Sequence, residues 1–104
     1  MIDIDLQIQH HFGKQVYVKQ MHLPAGHVAQ SHKHTFDHLS ILAVGNAVVE
    51  VDGVATTYSA GKCINIKANA VHSITALTDV VWFCIHATDI TDPNQIDLTL
   101  IQGD

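Results

Sequence analysis

The stretch from residue 38 to residue 66, HLSILAVGNAVVEVDGVATTYSAGKCINI, decides the fold of this protein. It is a series of short runs rich in β-branched residues, separated by Gly45-Asn46, Asp52-Gly53 and Ala60-Gly61. Runs of this kind, bounded by glycine and asparagine, are typical of strands joined by tight turns. Asp52-Gly53 predicts a two-residue hairpin, because both turn positions favour positive φ. The predicted strands cover residues 38–44, 47–51, 54–58 and 62–66.

The same pattern continues on both sides of this stretch. Alternating apolar and polar residues predict further strands over residues 15–23, 71–77 and 80–86. Two amphipathic runs, residues 2–9 and 96–101, are interpreted as terminal strands that cover a sheet edge or form a dimer contact. No segment shows a helical stripe of apolar residues over three turns. Nine or ten short strands with regular turns predict an all-β protein, an antiparallel sandwich or barrel.

Length and charge limit what the chain can do. Its 104 residues predict one domain, 1–104. It contains five lysines, no arginine and ten acidic residues. Without arginine there is no bidentate partner for phosphate, so no nucleic-acid partner is expected. Residues 1–8 do not resemble a signal peptide and no apolar run approaches the ~18–20 residues of a membrane span, so we expect a cytoplasmic protein that does not bind membranes.

The two cysteines carry no pairing signal. Cys63 and Cys84 belong to no C-x-x-C motif and to no larger cysteine framework. Buried structural thiols in a reducing compartment are therefore expected, rather than a disulfide.

Nine histidines in so short a chain are the outlier of the composition. His32 and His34 are separated by one residue, so on an extended strand both imidazoles point to the same face. His38 opens the next predicted strand, which we expect to pair with the preceding one as a hairpin. His72 lies on a distant strand and shares its face with apolar residues. Neutral imidazoles that converge inside a barrel commonly hold a divalent transition metal.

The glycines around these histidines resemble the two sequence motifs of the cupin family. The first motif combines a glycine, a His-x-His pair, a third ligand and a closing glycine, and all of its spacings are present. The second combines a glycine, a tight turn and a histidine, and 15 residues separate the two motifs, as in small microbial cupins. The matching residues are Gly26, His32, His34 and Gly45 in the first motif and Gly61 and His72 in the second. The chain departs from the motifs at four positions, with His38 for the usual glutamate, Lys67 for proline, Asn69 for glycine and Ala76 for asparagine.

The resemblance implies a small single-domain cupin, an antiparallel, jelly-roll-like β-barrel whose motif region spans residues 26–76. It implies one divalent transition metal per chain, bound by His32, His34, His38 and His72, with zinc, nickel, iron(II), copper and manganese as candidates. His38 stands where the family usually has glutamate, so the site keeps a ligand but gains positive charge. That exchange shifts the preference from manganese towards metals that favour imidazole. A homodimer and a small-molecule ligand or substrate are further expectations.

Two functions of different class fit these residues. Metal-binding cupins include dioxygenases, isomerases, cyclases and lyases, so the resemblance implies an enzyme that acts on a small oxygen-rich organic molecule. The alternative is a non-catalytic module that uses the metal to bind or sense a small molecule. An enzyme needs a group that moves a proton beside the metal, and the candidate catalytic residues are His86 and Tyr17, with Lys19 on the same face as Tyr17.

Two competing interpretations of the histidines are weaker. Metallo-β-lactamase-like hydrolases use His-x-His-x-Asp-His, but residues 32–38 are one residue too long for that signature and the chain is too short for the fold. A purely structural role stays open, because protein cores also contain hydrogen-bonded histidines.

Overall fold

The computed structural model of the protein describes residues 6–31 and 37–88. Within these ranges the chain forms nine β-strands and no helix, so none of the described segments is a helix that could cross a membrane. The strands are β1 (Gln9–Gly13), β2 (Val16–Leu23), β3 (Val28–Ser31), β4 (His38–Val44), β5 (Asn46–Val51), β6 (Val54–Ser59), β7 (Lys62–Ile66), β8 (His72–Ala76) and β9 (Val80–Ala87).

The strands form two antiparallel sheets. The larger sheet has the order β1-β2-β9-β4-β7 and the smaller sheet has the order β3-β8-β5-β6. One apolar core draws buried side chains from both, such as Trp82 and Leu42 from the larger sheet and Val49 and Ile74 from the smaller. The alternation along each strand explains this, because every second side chain points to the same face. The predicted all-β, antiparallel architecture is confirmed.

Most predicted strands agree with the observed bounds. Strands β4 and β7 begin and end at the predicted residues, and β2, β5, β6, β8 and β9 differ by one residue at one or both ends. The N-terminal strand was expected over residues 2–9, but residues 6–8 are not in a strand and β1 begins at Gln9. Gln7 has a φ of 51°, which interrupts an extended strand there. Residues 2–5 and 96–101 lie outside the described residues.

The expected hairpin between the His-x-His segment and the strand of His38 is wrong. Strand β3 belongs to the smaller sheet, where it pairs with β8. Strand β4 belongs to the larger sheet, where it pairs with β7 on one side and with β9 on the other. Because both hydrogen-bonding edges of β4 are occupied, β4 has no edge left for β3. The chain therefore passes from one sheet to the other between Ser31 and His38.

Two tight turns show the expected backbone. Asp52 and Gly53 have φ values of 48° and 85° and join β5 to β6, as the sequence predicts. Asn69, which stands at the usual glycine of the second motif, has a φ of 66° in the turn before β8. Gly45 has a φ of 92°, and a Cβ atom there would lie 2.7 Å from Thr78 Oγ1. Gly45 is therefore required both by its backbone conformation and by the close approach of the β8–β9 turn.

Candidate functional site

Tyr17, His86 and His38 form a row across the inner face of the larger sheet, which we call the ring row. Tyr17 on β2 is opposite His86 on β9, and the pairing of Leu39 with Ile85 places His38 on β4 beside His86. Only 1% of Tyr17, 6% of His86 and 3% of His38 is exposed. The strands adjoin in space but not in sequence, so the row is a product of the sheet order.

The three rings of the ring row lie nearly parallel. The ring centroids of Tyr17 and His86 are 6.0 Å apart with an angle of 21° between the planes. Those of His86 and His38 are 4.6 Å apart with an angle of 29°. The sheet therefore carries a continuous stack of a phenol and two imidazoles in its interior.

His72 approaches His38 from the opposite sheet. It shares the inner face of β8 with Ile74 and Ala76, as its sequence pattern predicts, and is 3% exposed. The ring centroids of His38 and His72 are 6.0 Å apart, with an angle of 49° between the planes. Two of the four expected metal ligands, one from each sheet, thus lie together inside the barrel.

His32 and His34 lie outside the described residues. The residues that flank them are in contact with the second motif. Ser31 pairs with His72 in the register of β3 and β8. On the other flank, the Ala68 backbone amide donates a hydrogen bond of 2.7 Å to Asp37 Oδ1, and Lys67 Nζ is 3.7 Å from Asp37 Oδ2. Within residues 6–31 and 37–88 no three potential ligand side chains are arranged so that they could hold a metal ion, so the expected four-histidine set stays a prediction.

A second polar row lies next to the ring row. Lys19 on β2 is opposite Cys84 on β9, and Cys84 is opposite Ser40 on β4. The hydroxyl group of Ser40 donates a hydrogen bond of 3.8 Å to Cys84 Sγ. Burial raises the pKa of Cys84, while the hydrogen bond from Ser40 and the positive charge of Lys19 lower it. The expectation of buried thiols is correct in part, because Cys84 is partly buried but Cys63 is exposed.

His10 is the residue that the sequence pattern did not identify. Its side chain is exposed, but its Nδ1 is hydrogen-bonded to the Tyr17 hydroxyl group at 2.7 Å. The two rings also stack, with centroids 5.7 Å apart. A strand register that starts at Gln9 places His10 on the same face as Phe12, which also contacts Tyr17. His10 thus extends the ring row to the edge strand of the larger sheet.

Comparison with known proteins identifies the family. Residues 19–86 match the model of the cupin domain. The chain belongs to the cupin family. No curated protein matches this cupin.

Solved structures show the same fold at low sequence identity. A cupin family protein with a double-stranded β-helix fold from Methanocaldococcus jannaschii is 16% identical, with a TM-score of 0.68 and 79% of either chain covered. A cupin superfamily protein from Desulfitobacterium hafniense is 15% identical, with a TM-score of 0.68 and 86% and 84% covered. Salicylate 1,2-dioxygenase from Pseudoaminobacter salicylatoxidans has a TM-score of 0.71 at 15% identity, covering 77% of this cupin and 25% of the dioxygenase. These similarities establish the fold of this cupin.

Proposed function

We propose that this cupin is a metal-dependent enzyme that acts on a small oxygen-rich organic molecule, by dioxygenase, isomerase or lyase chemistry. The observation that supports the proposal is the meeting of His38, His72 and His86 inside the barrel, with Tyr17 next in the row. A buried cluster of imidazoles serves folding poorly, because polar groups in an apolar core cost free energy that apolar side chains would not. Such a cluster is typical of a site that binds a metal or moves protons.

The proposed metal ligands are His32, His34, His38 and His72. The two described residues of this set fit the role, since His38 and His72 are buried imidazoles that face each other from two sheets. An all-imidazole set favours zinc, nickel, copper or iron(II) over manganese. When bound, a divalent ion supplies a Lewis acid that polarises oxygen atoms of a ligand.

His86 and Tyr17 are the proposed proton-transferring residues. His86 lies flat against His38, so a molecule bound at His38 and His72 would lie within reach of its ring. Tyr17 lies on the other side of His86, and its hydroxyl group is hydrogen-bonded to His10 on the edge strand. The hydrogen bond to His10 connects the Tyr17 hydroxyl group to the exposed edge of the sheet, so Tyr17 can exchange a proton with His10 there.

The alternative function is non-catalytic binding or sensing of a small molecule. A binding module needs no proton-transferring group beside the metal, and aliphatic walls would suit it. The ring row favours the enzyme, because it places a phenol and an imidazole next to the proposed ligand His38. The structural similarity to a dioxygenase makes oxygen-dependent chemistry the first reaction class to test.

The experiment is elemental analysis of protein purified without a histidine tag, followed by oxygen-consumption assays on diketones and catechols. We expect about one transition metal per chain in the wild type, and a loss of metal in His72→Leu. His86→Gln should keep the metal and lose turnover, whereas the exposed His27→Gln should keep both. A wild type that binds no transition metal would contradict the proposal, and full metal loading with no turnover of any substrate would favour the binding module. The cytoplasmic location and the homodimer remain predictions, of which sedimentation velocity tests the second.

A further inference from the structure

Lys19 occupies an unusual position on the inner face of the larger sheet. It is on the same face of β2 as Tyr17 and Leu23, which are both buried, and its partners in the register are Cys84 on β9 and His10 on β1. It is partly buried, whereas the other described lysines, Lys14, Lys62 and Lys67, are exposed. The influence of its charge on Cys84, described above, agrees with an ammonium group close to the barrel interior.

No acidic side chain in the described ranges balances the charge of Lys19. The ion pair found within residues 6–31 and 37–88 joins two other residues, Lys67 and Asp37. Of the described acids, Asp37, Asp52 and Asp79 lie in loops, and Glu50 is exposed on the outer face of β5. A lysine side chain that is partly buried loses some hydration, and an anion close to its ammonium group would compensate for that loss.

The position of Lys19 relative to the ring row suggests where an anion comes from. Lys19 is the diagonal neighbour of His86 on the adjacent strand, a position in which the Cβ atoms are about 7–8 Å apart. His38 is one strand further on, so its Cα atom lies about 12 Å from that of Lys19. Side chains on one face extend roughly perpendicular to the sheet, so those of Lys19, His86 and His38 project to the same side of it. A small molecule could thus bind His86 and His38 with one end and Lys19 with the other.

We propose that Lys19 binds the carboxylate group of the substrate, so that the substrates of this cupin are small organic acids rather than neutral sugars, phenols or diketones. The inference rests on the proposed function, because it places the ligand at the same site. The ammonium group of lysine carries a localised positive charge, so it can bind the carboxylate group of any small organic acid. His86 and the proposed metal-binding histidines would act on the other end of the molecule.

The experiment measures binding of paired probes, benzoate with benzamide and pyruvate with pyruvamide, by calorimetry or protein-detected NMR. Each pair differs in the negative charge and hardly in shape. Measurements are made on metal-free and on zinc-loaded protein, with the wild type, Lys19→Met, Lys19→Arg and, as a matched control, the exposed Lys14→Met. We expect the wild type to bind one carboxylate at least about tenfold more tightly than its amide, a preference typical of a charge-assisted hydrogen bond.

Lys19→Met should lose this preference, while Lys19→Arg and Lys14→Met keep it. Equal binding of every acid and its amide by the wild type would overturn the inference, and so would a preference that survives in Lys19→Met. If Lys19→Met does not fold, Lys19→Gln takes its place, because it keeps a polar side chain of similar reach. A lysine that pairs with an acid outside the described residues, such as Asp3, Asp5 or an acid of residues 89–104, would instead make Lys19→Met less stable without changing the probe preference. Metal content separates this inference from the proposed function: a carboxylate preference in a protein that binds no metal supports Lys19 alone.

Discussion

Replacing His38 by leucine separates its contribution to folding from its proposed contribution to metal binding. His38 is buried between Ile66 and His86 in the ring-row register, and leucine has a similar volume. In the metal-free protein the substitution removes the cost of burying an imidazole, about 1–3 kcal/mol, and the contacts that His38 makes, about 0.5–1.5 kcal/mol. The free energy of unfolding of metal-free His38→Leu should therefore lie between about 0.5 kcal/mol below and about 2.5 kcal/mol above that of the wild type.

Zinc is expected to stabilise the two proteins by different amounts. A ligand at 100 times its Kd stabilises the native state by about 2.7 kcal/mol. At the zinc concentration that provides this gain in the wild type, His38→Leu should gain about 1 kcal/mol or less, because it lacks one proposed ligand. The leucine variant is thus expected to gain at least about 1.7 kcal/mol less from zinc than the wild type, whichever of the two proteins is more stable with chelator.

Urea unfolding, followed by the fluorescence of buried Trp82 with EDTA and with zinc, measures both quantities. Ile66→Ala is the matched control, because Ile66 is the buried register neighbour of His38 and no proposed ligand. It should lose about 2–5 kcal/mol of stability with EDTA and keep the full zinc-dependent gain. The reasoning is refuted if His38→Leu gains as much from zinc as the wild type. It is also refuted if His38→Leu is destabilised with EDTA as strongly as Ile66→Ala.

Three further substitutions test other parts of the structure. Tyr17→Phe removes the hydrogen bond of 2.7 Å to His10 and should cost about 1 kcal/mol in urea unfolding, with metal content unchanged; loss of metal would mean that Tyr17 does more than hold and transfer a proton. Gly45→Ala should be at least about 2 kcal/mol more destabilising than Gly53→Ala, since both residues have positive φ but only an alanine at 45 meets atoms of another turn; equal losses would contradict the packing argument. Because burial raises the pKa of Cys84 in the folded state, the stability of the wild type should fall as pH rises above about 9, and Cys84→Ala should show a smaller fall; identical pH profiles would count against a buried thiol.

The strands of the central block could be predicted because their signals are local. In β4 and β7 buried and more exposed residues alternate along most of the strand. Residues that favour turns lie at the ends of both strands. The pairing of β3 could not be predicted in the same way. A short link normally predicts a hairpin, but here β7 and β9 occupy both edges of β4, and both come later in the sequence. The N-terminal strand was misplaced for a related reason, because alternation alone does not show where pairing with β2 begins.

Some residues of the candidate site could also be predicted from the sequence, and others could not. The motif spacing singled out His38 and His72, and strand alternation named His86 and Tyr17 as inward-facing candidates; the structure brings these four side chains together. His10 was missed, because its contact with Tyr17 depends on the register of an edge strand that the sequence pattern placed elsewhere.

The sequence alone predicts the central strands, the positions of the turns between them and the cupin motifs. These properties depend on short-range physics, namely side-chain alternation along a strand and the few residues that tolerate positive φ, as at Asp52 and Asn69. The sequence alone does not show which side chains lie in the same row. The tertiary structure determines this, because β2, β9 and β4 are far apart in sequence and adjacent in the sheet. Their neighbourhood follows from the pairing of the strand edges and from the shared core, and it places Tyr17, His86 and His38 in one row of the inner face, with Lys19 in the next row.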